Sequence, residues 1–141
     1  MADNTIELTI VTPERSVVHE RVDELMIPGR DGYFGVLPGH APLFSELKIG
    51  EISYRKGTQW VFLAVAWGFV QVLPNQVRVL AETAERSNEI DLDRAQRSKE
   101  RAEQRLTRGG DDVDYDRARV ALERALIRIQ VSAKASSSVG A

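Results

Sequence analysis

The sequence predicts a β + α chain: an N-terminal all-β sandwich followed by a C-terminal antiparallel two-helix hairpin. Three observations carry this. As far as residue 85 the chain is eight or nine short β-prone runs, with turn signals about every eight to twelve residues. Over residues 85–89 the apolar spacing changes from a period of two to that of a helix. Gly109-Gly110 then divides the helical part in two. The resulting boundaries are a sandwich over 1–86, a linker over 87–90, a hairpin over 91–134 and a frayed, disordered tail over 135–141.

Taken in order, residues 5–12 alternate apolar and polar side chains and form a half-buried strand. Pro13-Glu14-Arg15-Ser16 turns the chain. Residues 17–28 continue extended, with an irregularity near Asp23-Glu24. Residues 29–43 hold four glycines and two prolines, which no single helix or long strand accommodates. The glycine spacing G-x-x-G-x-x-G is not followed by a helical pattern that could offer its N-terminus to a phosphate. The stretch therefore reads as a sheet corner: turn, short strand, turn, strand. Strands follow at 43–47 and 51–54, then two buried strands at 60–66 and 69–73 around Trp67-Gly68, then one at 76–80.

Beyond the linker, Leu92, Ala95, Ala102 and Leu106 share one helical face, with Asp91 as the N-cap. Asp111 or Asp112 caps a second helix, whose apolar set is Ala118, Ala121, Leu122, Ala125, Leu126, Ile129 and Ala133. A seam built largely of alanine lets helices approach closely but buries little area. The hairpin alone is then marginal, and its second helix detachable at small cost.

Charge divides along the same boundary. Residues 1–90 carry eight basic and twelve acidic side chains, and residues 91–141 carry eleven and nine. The overall charge of −2 argues against nucleic acid as the main ligand. There is no cysteine and there are only two histidines, so thiolate chemistry is excluded and no metal constellation is expected. The N-terminal residues lack a signal-peptide pattern, and no apolar run approaches the roughly 20 residues that cross a bilayer. The reading is a soluble protein that meets a membrane only through a partner. No catalytic set emerges. His40, between Gly39 and Ala41-Pro42, reads either as a turn imidazole bonded to backbone or as a subunit contact.

The arginines carry the functional signal. Arg94 and Arg101 share a face of the first helix, and Arg124 and Arg128 a face of the second. In an antiparallel hairpin Arg94 falls opposite Arg128 and Arg101 opposite Arg124. That gathers four guanidiniums in a patch about 10 Å long, suited to a polyphosphate. Asp91 can steady Arg94, while Ile90 and Ala95 offer apolar surface to a flat base. A solvated, salt-bridged face is the alternative reading of the same spacing.

Several ordered marks add a resemblance: Thr-Pro-Glu at 12–14, Gly-Val-Leu-Pro-Gly-His-Ala-Pro-Leu at 35–43 and Leu-Lys-Ile-Gly at 47–50. Gly68-Phe69, Val-Leu-Ala-Glu-Thr-Ala at 79–84 and Asp-Asp-Val-Asp-Tyr at 111–115 complete them. In this order the chain resembles the epsilon subunit of bacterial F-type ATP synthases, over residues 5 to 133. The resemblance implies a sandwich and hairpin in a non-catalytic central-stalk subunit on the cytoplasmic face of the bacterial plasma membrane. Its partners would be the gamma subunit, the c-ring and the alpha and beta subunits. ATP would be a regulatory ligand, with no other cofactor.

Ile90-Asp-Leu-Asp-Arg94-Ala95 resembles the family's nucleotide motif. Arg101, Arg124 and Arg128 match its phosphate ligands, and Glu85 matches an upstream position. Contact with gamma and the c-ring would involve Arg30, Asp31, Tyr33 and His40. Two departures stand out: Tyr33 replaces a commonly acidic residue, and Trp67-Gly68 stands where Gly-Gly is usual. A free-standing anion-binding or adaptor module is the rival reading.

Overall fold

The computed structural model describes residues 4–139, with side chains described as far as Ala135. Eight strands come first: β1 (Ile6–Val11), β2 (Ser16–Val22), β3 (Glu24–Gly29), β4 (Gly32–Val36), β5 (Leu43–Leu47), β6 (Gly50–Lys56), β7 (Gln59–Leu73) and β8 (Gln76–Arg86). A 3₁₀ turn (Ser87–Glu89) leads to α1 (Leu92–Arg108) and α2 (Tyr115–Val139). Sandwich followed by helical hairpin is thus the observed architecture. Residues 135–139, expected as a tail, continue the second helix, and residues 140 and 141 of that expected tail lie outside the described residues.

β1 pairs antiparallel with β2 and parallel with β8, and β8 pairs antiparallel with β7 along its length. β3 pairs with β4, with β6 and, at Gly29, with β5. The strands fold over one core in which Ile6, Leu8, Ile10, Leu25, Ile27, Ile52, Leu63, Val70 and Val79 have almost no exposed surface. Their period-two spacing is what places them on the inner faces.

β7 differs from expectation. It is one strand of 15 residues, not two, and it changes partner midway. Residues 59–65 pair with β6 and residues 68–72 with β5, while β8 stays in register on both sides of the change, Ala66 facing Thr83 and Gly68 facing Ala81. The β8 ladder skips Trp67 and resumes in the same register at Gly68, which carries the strand through the bend. β8 likewise runs to Arg86, six residues beyond the expected end, because Ala81 and Ala84 bury their small side chains against the core.

At the bend Gly68 has φ 138°, and a Cβ there would lie 1.8 Å from the Leu80 carbonyl oxygen. Glycine is required on both counts.

In α1, Asp91 is the N-cap, accepting from the Arg94 backbone N–H at 3.1 Å. α2 is capped not by Asp111 or Asp112 but by Asp114, whose Oδ1 accepts the Arg117 N–H at 3.0 Å. The connection is closed by the Gly110 N–H, which donates to the Tyr115 hydroxyl at 3.1 Å, and this uses the residues between as a loop. The interhelical seam is Ala95, Ala102, Ala118 and Ala125, each at most 2% exposed. Leu92, Leu126 and Ala133, placed on the seam from spacing, are exposed instead, whereas Val131 is fully buried. The reason is that α2 has two faces to satisfy, one against α1 and one against β6 and β7.

The linker is also tied down. Arg15, in the β1–β2 turn, donates from both terminal nitrogens to the Glu89 carboxylate at 3.0 Å each. Glu89 Oε1 in turn accepts the Arg86 N–H at 2.9 Å. The Arg15 bond holds the Glu89 carboxyl below its ordinary value.

Gly68→Ala is expected to remove roughly 3 kcal/mol or more of sandwich stability, since neither the Leu80 backbone nor the left-handed bend can yield cheaply. Denaturant unfolding of the two proteins measures this; a loss under about 1 kcal/mol would mean that the bend relaxes freely.

Candidate functional site

Where α1 and α2 lie against the sandwich they leave a groove of about 380 Å³. Ala64, Val65 and Ala66 of β7 form its floor, with Thr83 and Glu85 of β8 alongside. Arg94 and Ser98 come from α1, and Ala121, Arg124, Ala125, Ile127 and Arg128 from α2. Ile49, in the β5–β6 turn, closes one end. The alanines matter, because larger side chains on β7 or α2 would fill the space.

Three guanidiniums thus face one carboxylate, and each is held differently. Arg128 makes a fork-shaped pair with Glu85, Nε to Oε1 at 2.8 Å and a terminal nitrogen to Oε2 at 3.1 Å. Both side chains are about a quarter to a third exposed, so the pair is partly shielded from solvent. The Arg124 guanidinium lies 5.5 Å from the centre of the Trp67 ring. The Arg94 guanidinium has no hydrogen-bonded partner among the described residues, the Asp91 bond being to its backbone N–H. Arg101 is not on the wall; it is exposed and donates to Ser98 Oγ at 3.2 Å. The expected four-arginine patch is therefore three arginines with Arg101 behind the lip.

Ile90, Asp91 and Ala95 are also off the wall. Ala95 is fully buried in the interhelical seam and offers no surface to a base. The apolar surface of the groove comes instead from Ala121 and Ile127 of α2 and from Ile49, Ala64 and Ala66, and spacing within the hairpin could not reveal the last three.

Six residues beyond Arg128, a second anchor holds α2. Lys134 Nζ pairs with Glu51 Oε2 at 2.8 Å and sits 4.7 Å from the Phe62 ring centre. Gln130 adds a bond to the other Glu51 oxygen at 3.3 Å.

The residues expected at a subunit contact divide in two. Arg30, Asp31 and Tyr33 lie at the β3–β4 turn, with Arg30 3.5 Å from Glu46. The Tyr33 hydroxyl accepts the Glu51 N–H at 2.9 Å, and a Cβ on Gly50 would strike it. His40 lies beyond the other end of β4, where the Gly39 N–H donates to the Pro74 carbonyl. Its Nδ1 donates to the Ala41 carbonyl oxygen at 2.7 Å, the turn geometry that one of its two readings expects.

A surface missed in the sequence lies on β5, β7 and β8. Phe44 and Phe69 stack with ring centres 5.6 Å apart while 69% and 46% exposed, and the 57% exposed Leu80 faces Phe69 across the ladder. The available signal was Phe69 and Leu80, apolar residues at outward positions where the alternation expects polar side chains.

Among the described residues no His, Asp and Glu cluster could hold a metal, and no helix is long and apolar enough to cross a membrane.

Residues 5–87 match the family described as ATP synthase, Delta/Epsilon chain, beta-sandwich domain, and residues 88–133 match its long alpha-helix domain. The chain is 56% identical over 110 residues to the ATP synthase epsilon chain of Koribacter versatilis, covering 78% of this chain and 77% of the relative. With the ATP synthase epsilon chain of Geobacter sulfurreducens it shares 48% over 132 residues, 93% of this chain and 96% of the relative. Its fold resembles a chain in the Euglena gracilis mitochondrial ATP synthase structure (OSCP/F1/c-ring), with a TM-score of 0.78 at 22% identity over 96% of this chain and 82% of that one.

The Glu85–Arg128 pair sets a measurable coupling. Glu85→Gln and Arg128→Gln should each speed amide exchange in α2, and a double-mutant cycle should return about 1 kcal/mol. Additive effects would show that the pair does not hold the helix.

Proposed function

The chain belongs to the ATP synthase epsilon chain family, and on that premise we propose that it is a regulatory central-stalk subunit whose hairpin is latched by ATP. The observation that carries this reading is the groove: three guanidiniums from two helices converge on one apolar-floored space. Two of the three, Arg94 and Arg124, have no carboxylate partner among the described residues.

The chemistry follows from where those groups sit. A triphosphate spanning Arg94 of α1 and Arg124 and Arg128 of α2 would bridge both helices, in charge-assisted bonds, across the floor formed by the sandwich. Glu85 keeps Arg128 aimed into the groove and competes with phosphate for its donors. Ser98 offers a hydroxyl, and Ile49 with Ala64 and Ala66 offers a surface for the base. Arg101, bonded to Ser98, adds positive potential.

A ligand that touches all these elements at once binds only when the hairpin lies against the sandwich. It shifts the population by its differential affinity: at ten times its Kd, about 1.4 kcal/mol. Against an alanine seam that amount is decisive. When ATP is scarce, the hairpin is released to extend along gamma toward the alpha and beta subunits, where its basic residues meet acidic segments and stall hydrolysis.

The sandwich supplies the rotor attachment. The exposed Phe44–Phe69 stack beside Leu80 has the apolar character of a packed protein contact, suited to gamma. Arg30, Asp31 and Tyr33 form a separate polar contact, suited to the c-ring.

Titration of the full chain with ATP tests the reading. Binding at or below millimolar ATP is expected, with at least a tenfold loss, roughly 1.4 kcal/mol, in Arg94→Ala and in Arg124→Ala. In the assembled enzyme, removal of residues 88–141 should raise ATP hydrolysis. No binding at millimolar ATP would overturn the latch, and unchanged hydrolysis would overturn the regulatory role.

A further inference from the structure

Among the described residues Trp67 is the one non-glycine with positive φ, at 52°. Left-handed backbone is costly for a bulky side chain, and glycine would adopt it freely. The backbone cannot relax, because Trp67 stands where β7 passes from β6 to β5 while β8 holds it on both sides. Such a residue persists where its side chain does something that offsets the cost.

Its ring lies beneath the guanidinium of Arg124, a wall residue of the groove, and its neighbour Ala66 belongs to the groove floor. We propose that Trp67 is a positioning residue: an aromatic platform that holds Arg124, and with it α2, at the lip of the phosphate-binding groove.

The platform does what a carboxylate could not. An aromatic face attracts a guanidinium through its ring quadrupole, while the five N–H donors radiate in the guanidinium plane. Arg124 is thereby fixed without spending donors or cancelling its charge. Arg128 is the contrast, with Nε and a terminal nitrogen already committed to Glu85. One arginine of α2 is thus tethered by an ion pair to β8, and the other by a ring on β7 that leaves its hydrogen bonds for an anion. The effect on nucleotide affinity rests on the function proposed above; the hold on α2 does not.

The test compares Trp67→Gly, Trp67→Phe, Arg124→Ala and the double variant Trp67→Gly/Arg124→Ala in the full chain. Three quantities are read: amide exchange in α2 without nucleotide, affinity for ATP, and the unfolding midpoint of the sandwich. Trp67→Gly should speed exchange in α2 and weaken ATP at least fivefold, while the sandwich midpoint stays level or rises as strain is relieved. Trp67→Phe, which keeps a ring, should retain most of both properties. In the Arg124→Ala background Trp67→Gly should change either quantity less than twofold, because the tryptophan acts through that arginine.

Exchange in Trp67→Gly within twofold of the parent would overturn the proposal. So would an undiminished effect in the Arg124→Ala background. If the parent binds no ATP, the nucleotide reading fails by itself and the exchange arm still decides whether Trp67 holds the helix.

Discussion

The second helix is tied to the sandwich by charged groups at separated points. Arg128 forks onto Glu85, Arg124 rests on Trp67, and Lys134 reaches Glu51 and the Phe62 ring. Among the described α2 residues, Ala118, Ala125 and Val131 are the buried apolar ones. Burying an alanine contributes little at about 25 cal/mol per Å², so the hairpin lacks the large apolar interface that would make it permanent. Attachment of this kind is reversible on an energy scale that one bound ligand can match. The groove exists for the same reason, because small residues on both walls leave space beneath the helices.

The strand that makes the floor of the groove also explains its shape. β7 serves two partners, β6 and then β5, and bends at Trp67-Gly68 to do so. Gly68 permits the bend by letting the Leu80 carbonyl approach closely, and Trp67 turns the bend toward α2. At the other side of the hairpin, Arg15 grips Glu89 and fixes the start of the linker to the β1–β2 turn. The linker is therefore anchored at its sandwich end.

Much of this was legible in the sequence. Period-two alternation located the strands and the change of period located the hairpin, because burial on one face of a strand or helix imposes that spacing. Asp91 was readable as a cap from its position alone. The unity of β7 was not, because a glycine inside an apolar run signals a break unless a neighbouring strand spans it. Choosing Asp114 over Asp111 or Asp112 depended on how the Tyr115 hydroxyl closes the loop. For the site, helical spacing brings Arg94, Arg124 and Arg128 to one groove, while Arg101 and Ala95 lie off its wall, Ala95 because it is buried in the interhelical seam. Trp67 and the alanine floor belong to another domain, and nothing in the hairpin's own spacing points to them.

The proposed latch requires that the hairpin occupy two positions and that ATP select the folded one. Its most direct test is the distance between a label in the β1–β2 turn and one on the exposed face of α2 near residue 126, measured in the assembled enzyme with and without ATP. A latch gives one short distance at millimolar ATP and a second, longer population as ATP is withdrawn. A single short distance under both conditions would contradict it.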